Sequence, residues 1–199
     1  QWPGRRPWVM KTGAQFRPGP PPDLKSAVWA RDVNEVREYG ARTGSKRSEE
    51  QTAVARFWEV TQPAVYWPVA RCVASMPGRD PVDNARLFAI AAVAMDDAFV
   101  AVFDAKYAYG FWRPITAIRN GDQDGNDATP RDAGWTPFIE TPMHPEYPCA
   151  HCIISGTLGA VLQAELAGAP CPELRTSSPT AGGAERTWRS LDAFTTEVS

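Results

Sequence analysis

Apolar side chains recur every three or four positions along most of the chain, and clusters of Pro, Gly and acidic residues separate the helices that this spacing predicts. Ala27, Val28, Val33 and Val36 form a loose stripe over residues 24–39, with Asp23 placed to cap its start and Gly40 to end it. Ser48 followed three residues later by Gln51 is a capping-box signature. It introduces a helix carrying Val54, Ala55, Phe57, Trp58 and Val60, which Pro63 should end or kink. Residues 66–76 predict a short helix and residues 77–81 a turn. The longest helical run, residues 82–111, is Ala-rich with no internal Pro or Gly before Gly110, and should be the central helix. Pro114 disfavours the helical conformation at Arg113 and can open a second piece ending near Asn120. Residues 150–166 place Ile153, Ile154, Leu158, Val161 and Leu162 on one side of a helix that Gly168 stops. Residues 167–183 read as loop and residues 185–198 as a last helix. With no alternating pattern longer than a few residues, the expected fold class is all-α.

Composition adds boundaries. Residues 1–23 are rich in Pro, Gly and Arg and predict an extended arm, with Trp2, Trp8 and Phe16 as candidate anchors. Residues 24–199 then make one helical domain. A net charge of -2 excludes the basic excess that nucleic-acid binding needs, so any anion site is local. No uninterrupted apolar run is long enough to span a membrane; the nearest, residues 87–103, is broken by Asp96 and Asp97. The chain begins at Gln1 rather than Met, as after signal cleavage, proteolysis or in a partial sequence, and a periplasmic or secreted location is the favoured expectation. Four cysteines, Cys72, Cys149, Cys152 and Cys171, are too few for a disulfide scaffold; one bridge, with Cys171 a candidate partner, would suit an exported protein, and the sequence alone does not assign the pairing.

The chemistry concentrates between Asp104 and His151. Lys106 and Arg113 lie seven residues apart, nearly two helical turns, so both would leave one face with stems roughly 10 Å apart along the axis. Lys supplies a point charge and Arg a planar fork, a pair suited to one oxyanion between them. Solvated basic residues are the ordinary reading, but Tyr107, Tyr109, Phe111 and Trp112 imply partial burial, and buried cations need an anionic partner. His151 falls in the first turn of its helix, where the amides near Ala150 and His151 favour an anion and the imidazole is suited to acid–base work. His144, before Pro145, reads as structural.

Other readings of the cysteine and aspartate clusters are weaker. Residues 122–127 resemble a calcium loop, but Ala133 stands where the bidentate Glu is required. Cys149-Ala-His-Cys152 is not a haem attachment sequence, and Ser155 stands where a cysteine phosphatase needs Arg. A zinc site from Cys149, His151, Cys152 and Cys171 has no standard spacing, and a redox pair lacks the usual βαβ surroundings.

Lys106-x6-Arg113-Pro114 and Pro148-Cys-Ala-His151 resemble the first two signatures of the vanadium-dependent haloperoxidase and type 2 phosphatidic acid phosphatase superfamily. The second signature is usually Pro-Ser-Gly-His. The flanks Trp112–Ile118, Trp135–Pro142 and His144–Pro148, with Arg56-Phe-Trp58 after Glu50-Gln51, are similar to the bacterial haloperoxidase-like branch over roughly residues 48–162. The resemblance implies a helical bundle that binds vanadate as cofactor, with phosphate as a competing ligand. Lys106 and Arg113 would hold oxygens of the oxyanion, so that none of these residues ligates the metal directly. Cys149 takes the place of a hydrogen-bonding Ser, and its thiol is a weaker donor. Ala150 keeps the amide of the usual Gly, and His151 would be the acid–base residue.

In haloperoxidases bound vanadate activates peroxide to oxidise halide; in the related acid phosphatases a phosphohistidine forms from a phosphate ester and is hydrolysed. Small-molecule substrates of one kind or the other are expected, with an oxyanion-binding domain without turnover as the non-enzymatic alternative. The third signature, Arg followed six residues later by the covalent His, should come after a helix like residues 185–198, and no His follows His151. On this reading the bundle is incomplete at its C-terminal end, and a further segment or a second chain would complete the site.

Overall fold

A computed structural model describes residues 4–60 and 63–198; Trp2 lies outside them. Seven α-helices and one two-stranded hairpin appear among the described residues. The helices are α1 (Ala27–Tyr39), α2 (Glu49–Phe57), α3 (Trp67–Ala74), α4 (Pro81–Tyr109), α5 (Pro114–Arg119), α6 (Ala150–Leu166) and α7 (Leu191–Val198). Residues 174–188 depart from the expected loop and helix. Leu174–Ser177 (β1) pairs antiparallel with Glu185–Trp188 (β2), and α7 begins only at Leu191. The fold is mostly helical, as expected, with this hairpin added.

Local chemistry sets the helix ends. Ser26, not Asp23, caps α1: its hydroxyl accepts the Trp29 amide, whereas the Asp23 carboxylate takes the Lys25 amide in the turn before it. The capping box forms in both directions, Gln51 amide to Ser48 Oγ at 3.1 Å and Ser48 amide to Gln51 Oε1 at 2.9 Å. The α2 helix stops at Phe57, well before Pro63, which instead opens a 3-10 turn.

The chain divides into two compact units. The first comprises Gln1–Arg17, Ala53–Asp104 and Cys149–Ser199. Its core joins Phe57, Trp58 and Tyr66 to Leu87 and Met95 of α4, Leu158 and Leu162 of α6, Leu174 and Trp188 of the hairpin, and Phe194 of α7. Packing of α6 on α7 uses Gly159, where an added Cβ would stand 2.8 Å from the Thr195 methyl. The N-terminal segment of this unit is held by hydrogen bonds rather than by aromatic burial: Trp8 and Phe16 are exposed, while buried Asp97 accepts the amides of Trp8, Val9 and Met10 at 2.6–2.9 Å. Those three amides hold the Asp97 carboxyl below the usual range, against the opposing effect of its burial. The interruption of the 87–103 apolar run is thus an anchor, and among the described residues no helix is long and apolar enough to cross a membrane.

The second unit comprises Pro18–Thr52 and Ala105–Pro148, around Trp29, Val33, Ala117, Ile118 and Trp135. Its acidic loop is organised by protein donors: buried Asp124 accepts from Trp29 Nε1 at 2.8 Å and from Thr129 Oγ1 at 2.6 Å.

Candidate oxyanion site

In the second unit the cations are arranged differently from the single-face expectation. The α4 helix ends at Tyr109 because Gly110 turns left-handed (φ 57°), its amide closing on the Lys106 carbonyl at 2.9 Å. Arg113 is extended (φ -73°, ψ 153°), the cap residue before Pro114 opens α5. The two side chains therefore come from a helix end and a helix start.

They meet at residue 146. The Glu146 amide donates to the Phe111 carbonyl at 3.2 Å, its carbonyl accepts from Lys106 Nζ at 2.6 Å, and its carboxylate pairs with Arg113 Nη1 at 2.7 Å. Lys106 Nζ also donates to the Pro145 carbonyl at 3.0 Å, which engages two of its three ammonium protons. Tyr147 packs its ring against Tyr109 and Phe111 at 5.7 and 6.4 Å between centroids, which keeps the 145–147 segment in place.

Lys106 is only 1% exposed, and burial pushes its pKa down to about 8. Glu146 opposes that shift and Arg113 reinforces it. Tyr107, expected beside it, faces solvent instead. His144 borders the same segment, with its Nδ1 3.1 Å from the Pro145 carbonyl. Burial lowers its pKa, and Lys106 and Arg113 lower it further against the Pro145 carbonyl and Glu146. Arg113 Nε is buried and has no acceptor in the protein. A buried guanidinium N–H without a partner is costly and suits an anionic ligand.

In the first unit, Cys149 caps α6 with its Sγ accepting the Cys152 amide at 3.3 Å, and the two cysteines form a disulfide. This assigns the pairing that the sequence left open, and it does not use the candidate Cys171, which is a free thiol, as is Cys72; burial raises the Cys171 pKa. The bridge also removes two thiols from the zinc reading and leaves Cys149 without the S–H expected of it. Ala150 and His151 open α6, where first-turn amides lack acceptors in their own helix. His151 Nε2 lies 3.2 Å from the Val60 carbonyl. A carbonyl only accepts, so Nε2 carries the proton and Nδ1 is the acceptor of the neutral ring.

Residues 86–198 match the family model of the VCPO second helical-bundle domain, more than half of the chain. The chain belongs to the vanadium haloperoxidase superfamily. Over 142 residues it is 29% identical to the vanadium chloroperoxidase of Curvularia inaequalis, an alignment covering 59% of this chain and 23% of that protein. The crystal structure described as the first bacterial vanadium-dependent iodoperoxidase is similar over 99% of this chain and 48% of its own, with TM-score 0.76 and 28% identity. The chain thus spans less than half the length of each of these relatives.

Both of these relatives are vanadium enzymes by name, and the donor chemistry here fits a tetrahedral oxyanion such as vanadate. An ammonium with two protons engaged and a guanidinium with a buried, unpartnered Nε suit the oxygens of a tetrahedral anion. Among the described residues no cluster of His, Cys, Asp or Glu is arranged to hold a bare metal ion. Glu146 and His144 were the residues that motif spacing did not single out. The signal was available in the acid of His144-Pro-Glu-Tyr-Pro148, a carboxylate in a proline-rich segment just before the second signature.

Proposed function

We propose that this chain carries oxyanion-binding machinery of a vanadium haloperoxidase that oxidises halide with peroxide. The observation that carries the reading is the buried Arg113 Nε without an acceptor, beside a Lys106 ammonium that is itself removed from water. Lys106 and Arg113 would hold oxygens of the vanadate, and phosphate would compete for the same donors. The amide of Ala150 is assigned the hydrogen-bonding role of the usual Gly, and His151 the acid–base role. Cys149, while bridged, contributes the cap of α6 rather than a proton. When bound, vanadate supplies the activation of peroxide. The residues of this chain bind and orient the anion, and His151, with its proton on Nε2, presents Nδ1 as a proton acceptor. The acid phosphatase alternative uses the same residues; the relatives named above, both peroxidases, favour the first reading.

Calorimetric titration of vanadate into the purified chain tests this. Saturable binding that phosphate displaces and that Arg113→Ala strongly weakens is the expected result. Unchanged binding in Arg113→Ala would take Arg113 out of the site. Vanadate-dependent bromide oxidation and phosphate-ester hydrolysis, assayed side by side, separate the two chemistries.

A further inference from the structure

The Arg113 guanidinium carries two kinds of donor in this structure. Its Nη1 faces the Glu146 carboxylate at 2.7 Å, and its Nε is buried without an acceptor. The Arg113 side chain is 19% exposed whereas that of Glu146 is 41% exposed, so the carboxylate approaches the guanidinium from the solvent side. The backbone of Glu146 is fixed at both polar atoms, its amide on Phe111 and its carbonyl on Lys106. Its side chain can turn into solvent without breaking either bond.

We propose that Glu146 is a built-in competitor for the oxyanion and sets how tightly Arg113 and Lys106 bind it. This rests on the reading of those two cations as the oxyanion donors. A carboxylate and an oxyanion seek the same fork, and both are negative, so they cannot share it at low cost. Three charged or titratable groups face this carboxylate: Arg113 directly, Lys106 through the same residue's carbonyl, and His144 from two positions earlier in the segment. Binding therefore entails turning Glu146 away from Arg113 or neutralising it. In its absence the cation pair would accept anions of this size more readily, so Glu146 tunes affinity and disfavours weakly held anions. No role in proton transfer is needed for this effect.

The experiment is calorimetric titration of inorganic phosphate and of vanadate into the unaltered chain, Glu146→Gln, Glu146→Ala, and Glu140→Gln as a neutralised exposed carboxylate elsewhere in the same unit. Gln keeps the size of Glu146 and a neutral acceptor for Arg113. We expect both substitutions at 146 to tighten binding roughly three- to fivefold, the upper end of the scale for a partly exposed ion pair, and Glu140→Gln to change it less than about twofold. Equal or weaker binding in both Glu146 variants, with the unaltered chain binding normally, overturns the inference alone. A gain in Glu140→Gln as large as in the Glu146 variants also overturns it, because the effect would then be net charge. Binding to none of the four proteins overturns the oxyanion reading and the inference with it. Circular dichroism of each variant shows whether it has kept its fold.

Discussion

Lys106 sits almost wholly out of water at the end of a long helix, its ammonium held by two carbonyls. His151 stays half-buried in the first turn of another helix, with its ring on the Val60 carbonyl and its flanking residues joined by a disulfide. The cationic turn concentrates charge against desolvation, and its stability depends on neighbouring carbonyls and on Glu146. The histidine turn fixes a backbone and one ring tautomer, and its geometry depends little on charge. One arrangement suits holding an anion, the other suits handling a proton. If that difference is functional, substitutions in the two turns should fail in different assays.

The largest contrast is between Arg113→Ala and His151→Ala. Loss of a charge-assisted contact to a bound anion costs about 2–3 kcal/mol, so Arg113→Ala should weaken phosphate binding roughly 30- to 150-fold. His151→Ala should weaken it less than about threefold while removing most turnover in a catalytically competent form of the protein. Titration calorimetry and steady-state assays on the same preparations read both effects. Equal losses of binding in the two variants would remove the distinction between the turns.

Much of this contrast is legible in the amino-acid sequence. Pro114 announces the break at Arg113, Ser48 and Gln51 announce the start of α2, and the first-turn position of His151 follows from the apolar stripe of α6. These signals are local, and local chemistry decides them. The hairpin escapes such a reading because each strand is four residues long, too short for alternation to stand out from helical spacing. Its strands are held by tertiary contacts: Leu174 and Trp188 are buried in the first core, and Arg186 pairs with Glu197 at 2.8 Å. Glu146 escapes it for a similar reason, since a carboxylate 33 positions after its Arg partner leaves no periodic trace. The placement of Lys106 and Arg113 on one face fails at Gly110, whose left-handed turn ends the helix between them. The pairing of Cys149 with Cys152 needs the α6 cap geometry, which spacing alone does not supply.

A smaller effect separates the turns by pH. Burial lowers the Lys106 pKa from 10.5 to about 8, so folded protein releases this proton before unfolded protein does. Between about pH 8 and pH 10.5 the unfolded chain therefore binds more protons at this site, and the contribution of Lys106 to stability rises with pH across that window. Anion binding should move the other way, because the ammonium is lost as pH passes about 8. Sulfate is the suitable probe, since its own charge is constant there. Its affinity should fall roughly fivefold between about pH 7.5 and 9 in the unaltered chain and remain flat in Lys106→Met. A slope that survives in Lys106→Met would assign the titration to another group.

The smallest effect concerns the covalent pin of the histidine turn. Closing a loop of four residues with a disulfide limits the unfolded chain by roughly 2 kcal/mol in the loop-entropy account. Cys149→Ser combined with Cys152→Ala removes that constraint but installs a hydroxyl cap at the start of α6, which returns about 1 kcal/mol. The net loss should be about 1 kcal/mol, seen as a fall of a few degrees in Tm. Cys149→Ala with Cys152→Ala lacks the new cap and should lose about 2 kcal/mol, so the difference between the two double variants isolates the cap. Neither should shift the Lys106-dependent pH window, because both leave the carbonyls of Pro145 and Glu146 in place. A change in that window on breaking the disulfide would show that the two turns are energetically coupled rather than separately built.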